Sequence, residues 1–267
     1  MLYNTDMSGH SKWDTIKHKK ALNDAKKGQA FSKLSVQITH AARQGGGDPD
    51  MNPNLRLYID KAREASFPLD KIQKAIEKGA GGEGSGVIFE EASYEGFGPG
   101  GIQLIVDALT DNKNRTVSEI RQIFEEVGGN MGAEGSVSWN FETKGYIVVK
   151  SGHMQKSEKY GGEDTFVQQD PEEVMMSLMD IPGILDIQEI DMENGEKGFE
   201  IYTEYNQLAQ VRDSVTKLGL VLKEAEIIRE PKIEKKLSGE ELEKAKNAIE
   251  RLEDYDDVQN VWTDLDY

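Results

Sequence analysis

Cysteine is absent from the chain, which excludes a disulfide framework, a thiolate zinc site and a cysteine nucleophile together. Histidine is scarce, at four residues. His10, His18 and His40 lack HExxH spacing and His153 stands alone in a polar stretch, so no metal ligand set is legible. No apolar run approaches the roughly 20 residues a membrane-spanning helix requires. The first residues, Met1-Leu2-Tyr3-Asn4-Thr5-Asp6, have neither the apolar centre of a signal peptide nor the Arg-rich face of a transit peptide; Met7 offers a second start. There is no Walker A sequence and no GxSxG. With 49 carboxylates, no particular acid pair stands out as catalytic. These absences fit a reducing cytoplasm or matrix and lead us to expect a protein that is not an enzyme, with no cofactor, metal, membrane or small-molecule partner.

Positive charge is also in short supply, with 32 Lys and Arg against 49 Asp and Glu and a net charge of −17. Its distribution is uneven. Residues 8–47 hold 8 Lys and Arg against 2 Asp and Glu; residues 1–80 carry a net +5, and residues 81–267 a net −22. A chain that segregates charge in this way presents its basic end to a polyanion, and its acidic remainder repels the same partner elsewhere. The basic residues are Lys12, Lys17, Lys19, Lys20, Lys26, Lys27, Lys33 and Arg43, with Trp13 and His18 among them. Several lysines on a dense row of phosphates gain affinity largely by counterion release. Trp13 either stacks on a base or anchors the segment to its own helices. A membrane surface is disfavoured because no broad aromatic and leucine face accompanies the lysines.

At 267 residues the chain suits two or three domains. Residues 8–80 read as helical. Phe31, Leu34, Ile38, Ala41 and Ala42 recur at helix spacing up to Gly45-Gly46-Gly47, Pro53 suits the first position of a second helix, and Pro68 starts a third. Residues 79–86 are a glycine-rich linker. Strands at 88–96 and 102–109 form a hairpin, followed by a helix with a capping box at Thr116 and Glu119. Val137, Trp139 and Phe141 alternate with polar residues as in a strand, and Tyr146–Val149 is its expected partner across Lys144-Gly145. Residues 151–169 read as a polar loop. A helix over 171–179, strands at 184–190 and 198–203, a helix over 206–218, a strand at 220–228 and a helix from Ser238 to Leu252, capped by Ser238 and Glu241, complete the chain.

The expected fold class is α+β, with an N-terminal helical bundle (8–80) and two ferredoxin-like α+β domains. One is discontinuous (81–134 plus 205–267); the other (135–204) is inserted in it. The helix and strand at 206–228 would complete the sheet begun by the 88–109 hairpin.

Three motifs compete with the basic segment. Gly79-x-Gly81-x-x-Gly84 and Gly96-x-Gly98-x-x-Gly101 match a dinucleotide fingerprint, but neither leaves a strand to open a helix, so neither offers a helix N-terminus to a pyrophosphate. Lys144-Gly145-Tyr146 and Lys197-Gly198-Phe199 begin like an RNA-stacking strand, yet Val148 and Ile201 stand where the second aromatic belongs. Asp111-Asn112-Lys113-Asn114-Arg115-Thr116 places Lys113 and Arg115 at a helix N-terminus, a candidate anion site.

The segments Gly9-His10-Ser11-Lys12-Trp13, Gly45-Gly46-Gly47-Asp48-Pro49, Tyr94 to Gly101 and Asp111 to Thr116, with Gly128-Gly129-Asn130-Met131-Gly132 and Asp256 to Val261, resemble the YebC/PmpR family over nearly the whole chain. Met1–Asp6 and Trp262 depart from the pattern. The resemblance implies an N-terminal helical domain followed by two α+β domains. It also implies a non-enzymatic, cytoplasmic regulator that meets duplex DNA in transcription, or ribosomal RNA or tRNA on the ribosome in translation. A protein–protein adaptor using the acidic domains is the third reading.

Overall fold

The structure is a computed structural model that describes residues 27–81, 88–157, 164–192 and 195–266. Two compact units are distinguished, one comprising Gly28–Lys144 with Ile227–Tyr267 and the other containing Gly145–Glu226.

The first unit opens with helices α1 (Lys27–Gly45), α2 (Pro53–Glu64) and α3 (Leu69–Ala80). Their single apolar stripes meet in one core: Ile38, Ala41 and Ala42 of α1, Leu55, Ile59 and Ala62 of α2, and Ile72 and Ala75 of α3, closed by Phe67. Burying each large aliphatic side chain contributes about 1.5–3 kcal/mol. The contact between α1 and α3 depends on a missing side chain, since a Cβ on Gly79 would lie 2.2 Å from the Thr39 carbonyl oxygen. Asn52 organises the glycine-rich turn before α2. Its side chain accepts from Leu55 N, as an N-cap, and its amide donates to the Ala41 and Gly46 carbonyls at 2.8 and 2.9 Å. Pro53 occupies the first turn, where its missing N–H costs nothing.

An antiparallel hairpin follows, β1 (Glu90–Phe97) and β2 (Gln103–Thr110), in register from Glu90 opposite Thr110 to Phe97 opposite Gln103. Then come α4 (Lys113–Glu126) and the short β3 (Asn130–Met131). The strands that complete this sheet come from the C terminus. Helix α7 (Gly239–Glu253) leads into β11 (Val258–Thr263), and the sheet order is β11-β2-β1-β3. Leu104, Val106 and Ala108 of β2 pack with Ile120 and Phe124 of α4, Ala245, Ile249 and Leu252 of α7, and Val258 and Val261 of β11. The segment expected to fill this place, residues 206–228, lies elsewhere. The strand that took its position pairs with β2 across some 150 residues of chain, a distance over which local pattern carries no information.

The second unit holds most of a four-stranded sheet of order β7-β8-β4-β9, from β4 (Phe141–Lys150), β7 (Ile184–Asp191), β8 (Lys197–Glu204) and β9 (Val221–Pro231), the division between units falling after Lys144 in β4 and after Glu226 in β9. Helices α5 (Pro171–Met179) and α6 (Leu208–Lys217) connect them. Residues 151–169, expected as a loop, contain a small hairpin, β5 (Gly152–Gln155) with β6 (Thr165–Gln168). Two further short strands, β10 (Lys235–Lys236) and β12 (Leu265–Asp266), pair in parallel in the first unit.

Other expectations are corrected by hydrogen bonding. Ser138–Asn140 is a turn of 3₁₀ helix rather than strand, and Phe141–Lys150 is one continuous strand with no turn at Lys144-Gly145. Helix α4 is capped by Asn112, which accepts from Arg115 N, and not by Thr116, which is buried inside the helix. Ser238 precedes α7 without a side-chain capping bond.

Candidate nucleic-acid interface

Lys12, Trp13, Lys17, His18, Lys19, Lys20 and Lys26 lie outside the described residues, and of Lys27 only the backbone, which opens α1, is described. The described part of the basic stretch shows what lies beside that helix. Gln29, Lys33 and Gln37 recur every fourth residue on one face of α1. Gln29 donates to the Asp254 carbonyl, Lys33 Nζ donates to the Glu253 carbonyl at 2.6 Å, and Gln37 bonds the Gln259 side chain at 2.9 Å. The Lys33 ammonium therefore sits at the C-terminus of α7, where the helix dipole favours a cation. That gives Lys33 a structural contact the sequence did not suggest. Arg43 is half-buried in the last turn of α1.

Further along α1, His40 Nε2 lies 3.4 Å from Glu91 on β1 and 2.8 Å from the Gln44 amide nitrogen. The hydrogen bond to His40 holds the Glu91 carboxyl below its ordinary value. A row of polar contacts thus fixes one side of α1 to the first sheet and its C-terminal helix.

The Lys113 and Arg115 pair meets carboxylates of its own chain. Lys113 Nζ is 2.7 Å from Glu90, and that bond raises its pKa. Arg115 Nη2 donates at 2.9 Å to both Asp111 and Asp257. Asp257 is the hub. Its Oδ2 also accepts from Thr116 Oγ1 at 2.6 Å, Thr110 Oγ1 at 3.0 Å and the Tyr255 hydroxyl at 3.2 Å. Burial alone would raise the Asp257 carboxyl, but the Thr116, Arg115 and Thr110 donors outweigh it and the group lies below its ordinary value. The start of α4 is thereby tied to the turn before β11. Both cations are balanced from within, which leaves this helix end poorly suited to an outside anion. Asp257 lies far from Arg115 in sequence, and no spacing rule could have found it.

The strands that begin like an RNA-stacking module are not surfaces, because Tyr146 and Phe199 are fully buried. Tyr146 donates its hydroxyl to Glu200, itself fully buried, at 2.7 Å. The shallow cleft between α4 and α7 is lined by Glu119, Glu126 and Asp254 with Arg251, a charge balance unsuited to phosphate. Among the described residues no group of three or more His, Asp or Glu is placed to hold a metal ion, and no helix is long and apolar enough to cross a membrane.

Helices bearing the end of a basic segment, followed by two sheets with flanking helices, define a multidomain α+β protein. The chain belongs to the TACO1/YebC family: residues 11–82 match the TACO1/YebC protein N-terminal domain, and residues 89–265 the TACO1/YebC second and third domain. It is 43% identical over 257 residues to a "probable transcriptional regulatory protein" of Lactobacillus acidophilus, covering 96% of this chain and 98% of that one. A protein of the same description from Caldanaerobacter subterraneus is 44% identical over 260 residues, covering 97% and 98%. A crystal structure of a conserved hypothetical protein from Aquifex aeolicus superposes with a TM-score of 0.70 at 39% identity, covering 96% of this chain and 97% of that chain.

Proposed function

We propose that this chain is a non-enzymatic regulator of gene expression that binds nucleic acid through its basic N-terminal end. The observation that carries the reading is the charge segregation, 8 Lys and Arg against 2 Asp and Glu over residues 8–47 before a remainder of net −22 over residues 81–267. The relatives' description as probable transcriptional regulatory proteins supports a role in gene regulation, and duplex DNA is the first target in our reading. In this reading Lys12, Lys17, Lys19, Lys20, Lys26 and Lys27 contact phosphates, Trp13 or His18 stacks on or edges a base, and Lys33 and Arg43 border the contact. Lys113 and Arg115, already bound to carboxylates, are left out of it. Such contacts position a protein without reading sequence. The protein acts in the cytoplasm.

The ribosome is the second reading. The acidic remainder favours it, because a net −22 opposes lying along bare duplex but tolerates a surface that alternates RNA with basic protein. We also read residues 145–226 with their connecting strands as ferredoxin-like, an inserted domain. The element order β4-α5-β7-β8-α6-β9, with the β5–β6 hairpin interposed between β4 and α5, supports this. The first sheet, built as β1-β2-α4-β3 with α7-β11, departs from that order.

The test is binding of labelled duplex DNA across a salt series. With about five phosphates engaged, log affinity falls against log salt with a slope near −4 to −5, and a slope near zero would sink the proposal. Co-sedimentation with ribosomes in the presence of unlabelled duplex decides between the targets. Saturable binding that duplex fails to displace assigns the protein to translation.

A further inference from the structure

The second sheet ends on one side in β7, which pairs with β8 and, among the described residues, with no other strand. Along an antiparallel edge every second residue turns its N–H and C=O outward, a template for one more strand. Proteins blunt such edges with proline, lysine, short length or irregular pairing. Strand β7 makes little use of these. It is eight residues long, holds no proline or lysine, and its register is irregular only near its start, between Ile184 and Asp186. From Asp186 opposite Tyr202 to Asp191 opposite Lys197 the pairing is unbroken. The sheet's other edge strand, β9, ends in Pro231 and carries cations and carboxylates together.

The charge along β7 is of one sign. Asp186, Glu189 and Asp191 are exposed, and strand alternation sets Glu189 and Asp191 on one face and Asp186 on the other. The cation facing them across the pairing is Lys197, whose Nζ lies 3.0 Å from Glu189 and 2.7 Å from Asp191. Three carboxylates thus meet one ammonium. Helix α5, which packs on β7, brings Glu172 and Glu173 and no cation. Residues 164–192 as a whole hold eight Asp and Glu and no Lys or Arg. A second copy of β7 laid along this edge would set carboxylate against carboxylate, which destabilises a strand pair, whereas opposite charges stabilise one. Leu185, 55% exposed, adds an apolar contact at the start of the strand.

We propose that β7 takes up an extended basic segment of another protein as an added strand. The segment's backbone pairs with the outward N–H and C=O groups between Asp186 and Asp191, and its Lys or Arg side chains, at alternate positions, meet Glu189 and Asp191. The acidic charge then has two effects. It keeps the edge from pairing with its own copy or meeting a polyanion, and it selects a cationic strand. The site lies within the second unit, uses no residue of the basic N-terminal end and does not rest on the nucleic-acid reading.

The test follows the backbone amides of the full chain by NMR and hydrogen exchange. The probes are a short synthetic peptide of alternating Lys and Val, its Glu/Val counterpart, and the Lys/Val peptide N-methylated throughout, which keeps the charge and removes the backbone donors. The Lys/Val peptide is expected to shift the amides of Asp186 to Asp191 saturably and to slow exchange at alternate ones. The N-methylated peptide is expected to bind at least about tenfold more weakly, the scale of losing a few backbone hydrogen bonds. The triple variant D186N/E189Q/D191N is expected to bind the Lys/Val peptide severalfold more weakly and with less dependence on salt; the N-methylated probe keeps the inference testable if that variant folds poorly. Unmoved β7 amides, equal binding of the N-methylated or Glu/Val peptide, or full affinity in the triple variant overturns it. Slow exchange at every β7 amide before any peptide is added also overturns it, because the edge would already be covered.

Discussion

Removing the Asp257 carboxylate is expected to loosen the N-terminus of α4 from the turn before β11. In D257A, four donors lose one acceptor atom: Thr116 Oγ1 at 2.6 Å, Arg115 Nη2 at 2.9 Å, Thr110 Oγ1 at 3.0 Å and the Tyr255 hydroxyl at 3.2 Å. Hydrogen bonds to a charged group contribute about 1.5–3 kcal/mol each when one is deleted, but the losses do not add here. The Thr110 and Thr116 hydroxyls already lie 2.7 Å apart and keep each other, and Arg115 retains Asp111. The Asp257 side chain is only 16% exposed, so solvent replaces little of what remains. We expect about 2–3 kcal/mol lost in D257A and about 1–2 kcal/mol in D257N, read by urea unfolding at pH 7. At a few degrees per kcal/mol for a chain of this size, the D257A transition falls by roughly 4–10 °C. The pH dependence follows from the lowered carboxyl. A depressed folded pKa gives stability that is fully present above the unfolded value near 3.9 and lost as pH falls through the folded value. The gap between wild type and D257N therefore holds from pH 7 to about 5 and narrows below about pH 4, where the aspartic acid is protonated as well. A gap under about 0.5 kcal/mol, or one unchanged in acid, would refute the hub assignment.

G79A is expected to push α1 and α3 apart, because the new Cβ would lie 2.2 Å from the Thr39 carbonyl oxygen and 2.7 Å from the Ala42 Cβ. Overpacking of this kind costs about 1–3 kcal/mol, measurable as faster amide hydrogen exchange in both helices. E95Q removes the charge shared by three backbone donors. It should cost about 1–2 kcal/mol and speed exchange at Gly135, Val137 and Ser138, with unchanged exchange there counting against a role for Glu95 in holding the loop. K33M withdraws the cation from the end of α7 while keeping much of the side-chain stem. A loss of about 0.3–1 kcal/mol that shrinks with added salt is the expected result of unfolding measurements.

What could be read from sequence was local. The helices around Ile38, Leu55 and Ile72, the 90–110 hairpin and the β7–β8 pair carry their periodicity within a few residues, and each lies close to where it was expected. Trp139 shows how periodicity misleads. Val137, Trp139 and Phe141 alternate as a strand does, but Glu95, some forty residues earlier, draws the intervening N–H groups into a turn and turns the indole outward. The pairing of β11 with β2 and the Asp257 cluster were illegible for the same reason, since each joins residues far apart in the chain. Lys33 was readable as a basic residue but not as one bonded to the end of α7, because a charge count records sign and not partner. The charge segregation itself needs no fold to be seen.

The most direct test of the account replaces Lys17, Lys19, Lys20, Lys26 and Lys27 together by alanine and compares the salt dependence of duplex DNA binding with that of the unaltered chain. Each phosphate contact contributes about 0.9 to the slope of log affinity against log salt. A slope near −4 to −5 is expected to collapse toward zero and affinity at low salt to fall by orders of magnitude, while unfolding of the described helices and sheets is unchanged. A variant that keeps both slope and affinity would contradict it and move the nucleic-acid contact away from the basic end of the chain.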